Sequence, residues 1–324
     1  MNGEKVKKVA VLTSGGDAPG MNAAIRAVVR KGIYHGLEIY GIRRGFSGLI
    51  NREFLQMKLG SVADIIHRGG TILLTARSPE FLTAEGRQKA RSFLQEEKIE
   101  GVVVIGGDGS FKGAKVLEEE GITTAGIPAT IDNDVSLTDY TIGFDTAVNT
   151  VTDAINKVRD TATSHERIFV IEVMGRSSGQ LALFAGLAGG AESIIVPEDP
   201  IDVEEVCGRL LRGKKRGKLH SVILVAEGAG GGLLVGEEIK KITRMDVRVT
   251  ILGHLQRGGT PTAFDRILAS RMGAKAIDLL LEGNGGRAVV CRNGCIDSVT
   301  YDELHSKKKK LSRDDYHLAG ILAI

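Results

Sequence analysis

Gly101-Val102-Val103-Val104-Ile105 runs without interruption into Gly106-Gly107-Asp108-Gly109-Ser110. Four consecutive β-branched residues bounded by glycines read as a central strand of a parallel sheet, because a strand covered on both faces shows no polar alternation. In an open α/β sheet, ligands bind in the crevice beyond the carboxyl ends of such strands. Glycines there let backbone N–H groups approach an anion, and the start of a following helix adds favourable partial charge. A carboxylate among those glycines suits magnesium carried in with a nucleotide better than bare phosphate. Gly-Asp-Gly alone is also a common turn. A second acidic cluster, Gly126-Ile127-Pro128-Ala129-Thr130-Ile131-Asp132-Asn133-Asp134, shifts the reading towards phosphoryl transfer.

Outward from these turns, strands and helices alternate, which points to parallel sheets with helices on their faces. Strands are expected at 6–12, 38–42, 101–105, 123–127, 168–173, 193–196, 221–226 and 247–252. Helical spacing appears at Ile25, Val28, Val29 and Ile33, and again at Phe264, Ile267, Leu268 and Met272. Loops read as short and glycine-paired, with no repeat and no low-complexity linker. A domain break near residue 142 is expected, because Gly143 opens a long helical stretch towards Asp160.

The 324 residues suffice for two domains, and 42% hydrophobic, 26% charged and 43 glycines fit an α/β protein rich in glycine turns. A net charge of +3, 4% aromatics and no Trp argue against nucleic acid. Lys307-Lys308-Lys309-Lys310 reads as a solvated surface run. No apolar stretch reaches membrane-spanning length, and Met1-Asn2-Gly3-Glu4-Lys5 lacks a signal-peptide core, so a cytoplasmic protein without membrane partners is expected. The three cysteines imply no disulfide framework. Cys207 falls on an apolar helix face with Val203, Val206 and Leu210, and Cys291 and Cys295 lack further ligands at zinc spacing.

Glycine pairs at Gly15-Gly16, Gly69-Gly70, Gly106-Gly107 and Gly258-Gly259 read mostly as strand-to-helix junctions. Arg68, Arg77 and Arg257 accompany them. The pattern suggests a mouth of backbone donors and guanidinium groups suited to several phosphates. Ser14-Gly15-Gly16-Asp17 departs from the dinucleotide fingerprint, and no Walker A loop is present.

Five motifs in chain order then identify a resemblance: Leu12–Asn22, the Gly106–Ser110 turn, Thr130–Asp134, Met174-Gly175-Arg176 and Gly253-His254-Leu255-Gln256-Arg257-Gly258-Gly259. Along nearly its full length the chain resembles the bacterial ATP-dependent 6-phosphofructokinases. The resemblance implies an α/β fold of two doubly wound domains with mainly parallel sheets, helices on both faces and the active site in the cleft between them. An ATP-binding domain would comprise 1–142 and 255–305, and a fructose 6-phosphate-binding domain 143–254 and 306–324. The implied reaction moves the ATP γ-phosphoryl group to the 1-hydroxyl of fructose 6-phosphate.

Phosphoryl transfer needs positioning and charge neutralisation more than covalent chemistry. The family pattern implies Asp132 as the base accepting the hydroxyl proton, Thr130 positioning the transferring group and Arg176 stabilising its oxygens. ATP would lie across Gly16, Arg77, Ser78, Gly107, Asp108, Gly109 and Ser110, with Mg2+ at Asp108 and Asp134. The sugar phosphate would meet Thr130, Ile131, Asp132, Met174, Gly175, Arg176, Glu227, His254, Leu255, Gln256 and Arg257. Arg167 and Arg248 resemble a pair supplied by a neighbouring subunit of a homotetramer. Gly109, and Ala129 where pyrophosphate-dependent relatives carry lysine, favour ATP. Ala129 also departs from the usual glycine of the ATP enzymes, which implies altered kinetics rather than lost activity.

Arg26 and Arg30 are one helical turn apart on the polar side of a helix, a guanidinium pair able to grip an anion or simply to face solvent. The resemblance adds Arg159, Gly190, Ala191, Glu192, Arg216, Lys218, Leu219 and His220 as effector-site counterparts, where ADP activates and phosphoenolpyruvate inhibits. Leu59 departs from relatives that have a basic residue there. Competing readings are a pyrophosphate-dependent phosphofructokinase, a non-catalytic regulatory paralogue and an NAD kinase. The last leaves Thr130–Asp134 and His254–Gly259 unexplained.

Overall fold

The computed structural model describes residues 6–200, 202–218 and 220–323. In chain order its elements begin with β1 (Lys8–Thr13), α1 (Met21–Tyr34), β2 (Glu38–Ile42), α2 (Gly45–Asn51), β3 (Phe54–Met57), α3 (Ala84–Glu96), β4 (Gly101–Gly106), α4 (Asp108–Glu119) and β5 (Thr123–Pro128). There follow α5 (Phe144–His165), β6 (Ile168–Val173), α6 (Gln180–Gly189), β7 (Ser193–Ile195), α7 (Val203–Lys215), β8 (Ser221–Ala226), α8 (Gly232–Thr243) and β9 (Val247–Ile251). The chain closes with α9 (Ala263–Leu281), β10 (Arg287–Arg292), β11 (Cys295–Thr300), α10 (Tyr301–His305) and α11 (Arg313–Leu322). These form two compact units: Met1–Ile131, Val135–Thr146 and Arg257–Lys309 make the first, and Asp132–Asp134, Ala147–Gln256 and Lys310–Ile324 the second.

The first unit holds a seven-stranded sheet in the order β11-β10-β5-β4-β1-β2-β3. Every residue of β4 is buried. Its even positions Val102 and Val104 share a core with Ala10, Leu12, Phe46, Phe93 and Phe111. The alternate residues Val103 and Ile105 are equally buried, on the face covered by α1 and α9. Two covered faces explain the unbroken apolar run. The second unit holds a wholly parallel sheet, β7-β8-β6-β9. Cys207 sits in its core with Val203, Val206 and Leu210 of α7.

The structure corrects several expectations. Strands β3, β10 and β11 escaped notice; β3 and β11 are edge strands paired antiparallel, with a mixture of exposed and buried residues that gives no clear period. Residues 63–79 form a long loop without helix or strand, and Gly69-Gly70 lies inside it rather than at a strand end. A Cβ on Gly69 would collide with the Gly259 carbonyl, so this pair serves a close backbone crossing. Helix α9 buries Leu268, Ala269, Met272, Gly273 and Ala276, while Phe264 and Ile267 are 43% and 59% exposed. Its inner face is built partly of small residues that a search for bulky side chains overlooks. In the lysine run, Lys309 donates to the carbonyls of Thr138 and Asp139 while its neighbours are exposed. No described helix is long and apolar enough to cross a membrane.

Asp265 has no exposed surface and accepts hydrogen bonds from the Gly143 and Thr146 amides and the Thr146 hydroxyl, closing the start of α5. Burial pushes its carboxyl up to about 6, against those three donors. Because that value lies above the ordinary 3.8, the folded chain holds the proton more tightly; this contribution to stability is full below 3.8 and lost as pH rises through about 6. At neutral pH, Asp265→Ala leaves two buried amides without acceptors and is expected to lower stability by about 2–4 kcal/mol. An unchanged urea midpoint would refute this role.

Candidate active site

In the first unit the expected nucleotide residues converge on the carboxyl ends of the adjacent strands β5, β4 and β1. The Ser14 amide donates to the Ile105 carbonyl at 2.9 Å, and the Ala129 amide to the Gly106 carbonyl at 2.9 Å. Asp108 opens α4, where a negative charge is favoured by the helix dipole. Ser110 is 4% exposed, and its hydroxyl lies 3.6 Å from where a Cβ on Gly15 would stand. A Cβ on Gly107 would lie 3.8 Å from Thr130, whose carbonyl accepts from the Thr141 hydroxyl at 2.6 Å. The loop bearing Arg77 and Ser78 is tied to the same edge, since Thr75 donates to the Gly15 carbonyl at 2.7 Å. A Cβ on Gly109 would meet nothing within 4 Å, so open space stands before that turn. At Gly16 a side chain would strike the Arg257 guanidinium, which donates to the Asp17 carbonyl.

In the second unit a separate group assembles at the carboxyl end of β6. The Ser178 hydroxyl donates to the Asp132 carbonyl at 2.9 Å. The Met174 amide donates to Gln256 Oε1 at 3.1 Å, and Gln256 Nε2 to the Gly253 carbonyl, which fixes the turn bearing His254 and Leu255. The Gly228 amide donates to the Gly175 carbonyl at 3.2 Å, bringing Glu227 beside Met174–Arg176. Arg176, Glu227, His254 and Leu255 are exposed. Gln256 and Ile131 have no exposed surface, so Gln256 positions backbone, and any ligand contact of Ile131 falls to its main chain. Asn133 adopts positive φ, 46°, between the half-buried Asp132 and Asp134.

Arg167 and Arg248 do not join this group. Arg167 precedes β6 and Arg248 lies near the start of β9, and both pair with Asp246, at 2.6 and 3.4 Å. They stand at the amino ends of strands whose carboxyl ends lead to Met174 and His254.

Of the effector candidates, Glu192 forms the centre of one cluster. It is 8% exposed and pairs with Lys218 at 2.9 Å and Arg159 at 3.7 Å. Arg159 also donates to the Gly189 and Gly190 carbonyls, beside the buried Ala191. Arg216 and His220 lie close in sequence at the end of α7 and the start of β8. Leu219 lies outside the described residues. Arg26 and Arg30 belong to α1 in the other unit, and neither forms an ion pair among the described residues. Leu59 is 53% exposed.

Sequence reasoning missed Ser178, Thr141, Lys112 and His305. Lys112 lies four residues after Asp108 and was legible as a helical ion pair; the other three approach through the fold and left no local signal.

The match to known families fits this geometry: the phosphofructokinase family model aligns with residues 8–280. The chain belongs to the phosphofructokinase family. A protein of Alkaliphilus metalliredigens named ATP-dependent 6-phosphofructokinase is 60% identical over 319 residues, covering 98% of this chain and 100% of that one. A Bacillus subtilis protein of the same name is 58% identical over the same shares. Among solved structures, phosphofructokinase from Saccharomyces cerevisiae is 36% identical with a TM-score of 0.88; the match covers 93% of this chain but only 45% of that one. A pyrophosphate-dependent phosphofructokinase from Marinobacter aquaeolei, at 23% identity and TM-score 0.84, shares the phosphofructokinase fold.

Proposed function

We propose that the chain is an ATP-dependent 6-phosphofructokinase, transferring the γ-phosphoryl group of ATP to the 1-hydroxyl of fructose 6-phosphate in the committed step of glycolysis. The observation that carries this reading is 60% identity over 98% of the chain to a protein of that name. The two residue groups described above supply chemistry that suits it.

Asp132 accepts the 1-hydroxyl proton as the new oxygen–phosphorus bond forms. Thr130 positions the transferring group, Arg176 neutralises its equatorial oxygens, and Arg77 bridges nucleotide and product phosphates. Gly16 and Gly107–Ser110 cradle ATP, and the open space at Gly109 leaves room for an α-phosphate. Among the described residues no group of three or more His, Cys, Asp or Glu could hold a metal alone. A magnesium ion bound mainly by nucleotide phosphates needs only one or two carboxylates, and Asp108, with its side chain 43% exposed, fits that demand, with Asp134 a second candidate. When bound, the ion neutralises charge on the β- and γ-phosphoryl oxygens. Met174, Glu227, His254 and Arg257 hold fructose 6-phosphate. Arg167 and Arg248, at the far end of their strands, serve the site of a neighbouring subunit, so the active enzyme is an oligomer, and the family resemblance makes it a homotetramer. The Glu192 cluster, and separately the Arg26–Arg30 pair, bind the effectors, ADP as activator and phosphoenolpyruvate as inhibitor, and the enzyme works in the cytoplasm.

The direct test measures initial rate against fructose 6-phosphate with ATP or pyrophosphate at equal concentration, each with and without ADP and phosphoenolpyruvate. Fructose 1,6-bisphosphate should form from ATP alone, with the effectors shifting the half-saturating sugar phosphate concentration. Turnover from pyrophosphate alone would reassign the donor. No turnover from either would favour a non-catalytic paralogue.

A further inference from the structure

The carboxylate of Asp108 is addressed from two sides by residues distant in character. Lys112, one turn along α4, places Nζ 2.7 Å from Oδ2. His305, the last residue of α10, places Nε2 3.4 Å from Oδ1. The two neighbours differ in how firmly they are held. The Lys112 side chain is 66% exposed, and a solvated helical pair of this kind is weak. The His305 side chain is 19% exposed, and its Nε2 is buried without a hydrogen-bond partner of good geometry. A buried polar nitrogen in that state is costly, so a small turn of the Asp108 carboxylate towards it is favourable.

Helix α10 cannot easily carry the histidine away. Its start is closed by a capping box between Thr300 and Glu303. Tyr301 and Leu304 are 2% and 1% exposed, and the Tyr301 ring stacks on Phe111 of α4 with centroids 6.1 Å apart. Lys115 of α4 pairs with Asp302 of α10. The helix bearing Asp108 and the helix bearing His305 are therefore fastened to each other by two further contacts beside this one.

We propose that His305 is a positioning residue for Asp108: its Nε2 takes Oδ1 as the carboxylate turns towards it and so aims Oδ2, where only the exposed Lys112 must give way, at the magnesium–nucleotide. The proposal rests on the metal role assigned to Asp108 above. A hydrogen-bonded outer partner of this kind orients a ligating carboxylate, and its removal weakens metal affinity by about 10–100-fold in well-formed sites.

Titration calorimetry on the full chain with the β,γ-imido analogue of ATP, in magnesium or in EDTA, separates the possibilities. His305→Leu should weaken binding of the magnesium complex by about tenfold while leaving metal-free binding nearly unchanged. His305→Gln, which keeps a donor, should recover most of the loss, and steady-state kinetics should show a raised KM for magnesium–ATP with kcat largely kept. Equal weakening in both media would mean a packing role and overturn the proposal, as would no change in either. Asp108→Asn distinguishes the underlying assignment. If it weakens the magnesium complex and His305→Leu does not, only the histidine's role falls. If it leaves that complex unaffected, the metal role of Asp108 falls and this inference with it.

Discussion

Asp132→Asn is expected to lower kcat by about 10²–10⁴-fold, the range for losing a positioned general base. The amide keeps the size and shape of the carboxylate but cannot take the hydroxyl proton. The Asp132 main chain is held independently of its side chain, by the Ser178 hydroxyl on its carbonyl. The turn should therefore survive the substitution, and KM for ATP and fructose 6-phosphate should stay close to wild type. A coupled assay resolves the two parameters. A kcat reduced less than about tenfold would remove Asp132 from the base's role.

The second large effect concerns Arg167 and Arg248. Phe169 of β6 is in register with Arg248 of β9, so the two arginines flank the same end of the sheet. Met174 follows the last residue of β6, six residues away along the strand from Ile168. Arg248 is level with Phe169, five residues from Met174, so at about 3.3 Å per residue the separation is roughly 16 Å, more than a guanidinium alone spans. The arginines thus lie apart from the Met174–His254 group along the sheet, which is why the proposed function gives them to a neighbouring chain's site. Each charged hydrogen bond to a phosphate contributes about 1.5–3 kcal/mol, so replacing both arginines with alanine should raise KM for fructose 6-phosphate by about 10²–10⁴-fold, with little change for ATP. If the proposed neighbour-subunit role holds, oligomers reassembled from Asp132→Asn chains and Arg167→Ala/Arg248→Ala chains should recover part of the lost low-KM activity, because some sites then combine an intact Asp132 with a neighbour's intact arginines. Mixtures that behave as the sum of the separate variants would place both sets of residues in the same chain's site.

These expectations draw on different depths of information. Strand β4 was legible because Val102–Ile105 is covered on both faces and its composition says so directly. The turn after it was legible as a turn from its glycines, while its reading as a phosphate site needed the second acidic cluster at Thr130–Asp134. Edge strands β3 and β11 were not legible, since a strand exposed on one side and paired on the other has no continuous apolar signal. The inner face of α9 was misread because Ala269, Gly273 and Ala276 bury well while the bulkier Phe264 and Ile267 face outward. Gly69 looked like a phosphate-loop glycine, yet its missing side chain makes room for the Gly259 backbone. The role of His305 depends on α10 being fastened to α4 through Tyr301, a tertiary contact with no local trace. Asp132 stood out by its motif, whereas the hydroxyl that holds its backbone, Ser178, became visible only in three dimensions.

The most direct check on the catalytic account is a crystal structure of the full chain with magnesium–ADP and fructose 1,6-bisphosphate bound. The account predicts the Asp132 carboxylate within about 3 Å of the sugar's 1-oxygen, with Asp108 on the nucleotide's metal in the same reaction centre. Asp132 and Asp108 facing unconnected ligands, or the 1-oxygen facing some other base, would contradict it.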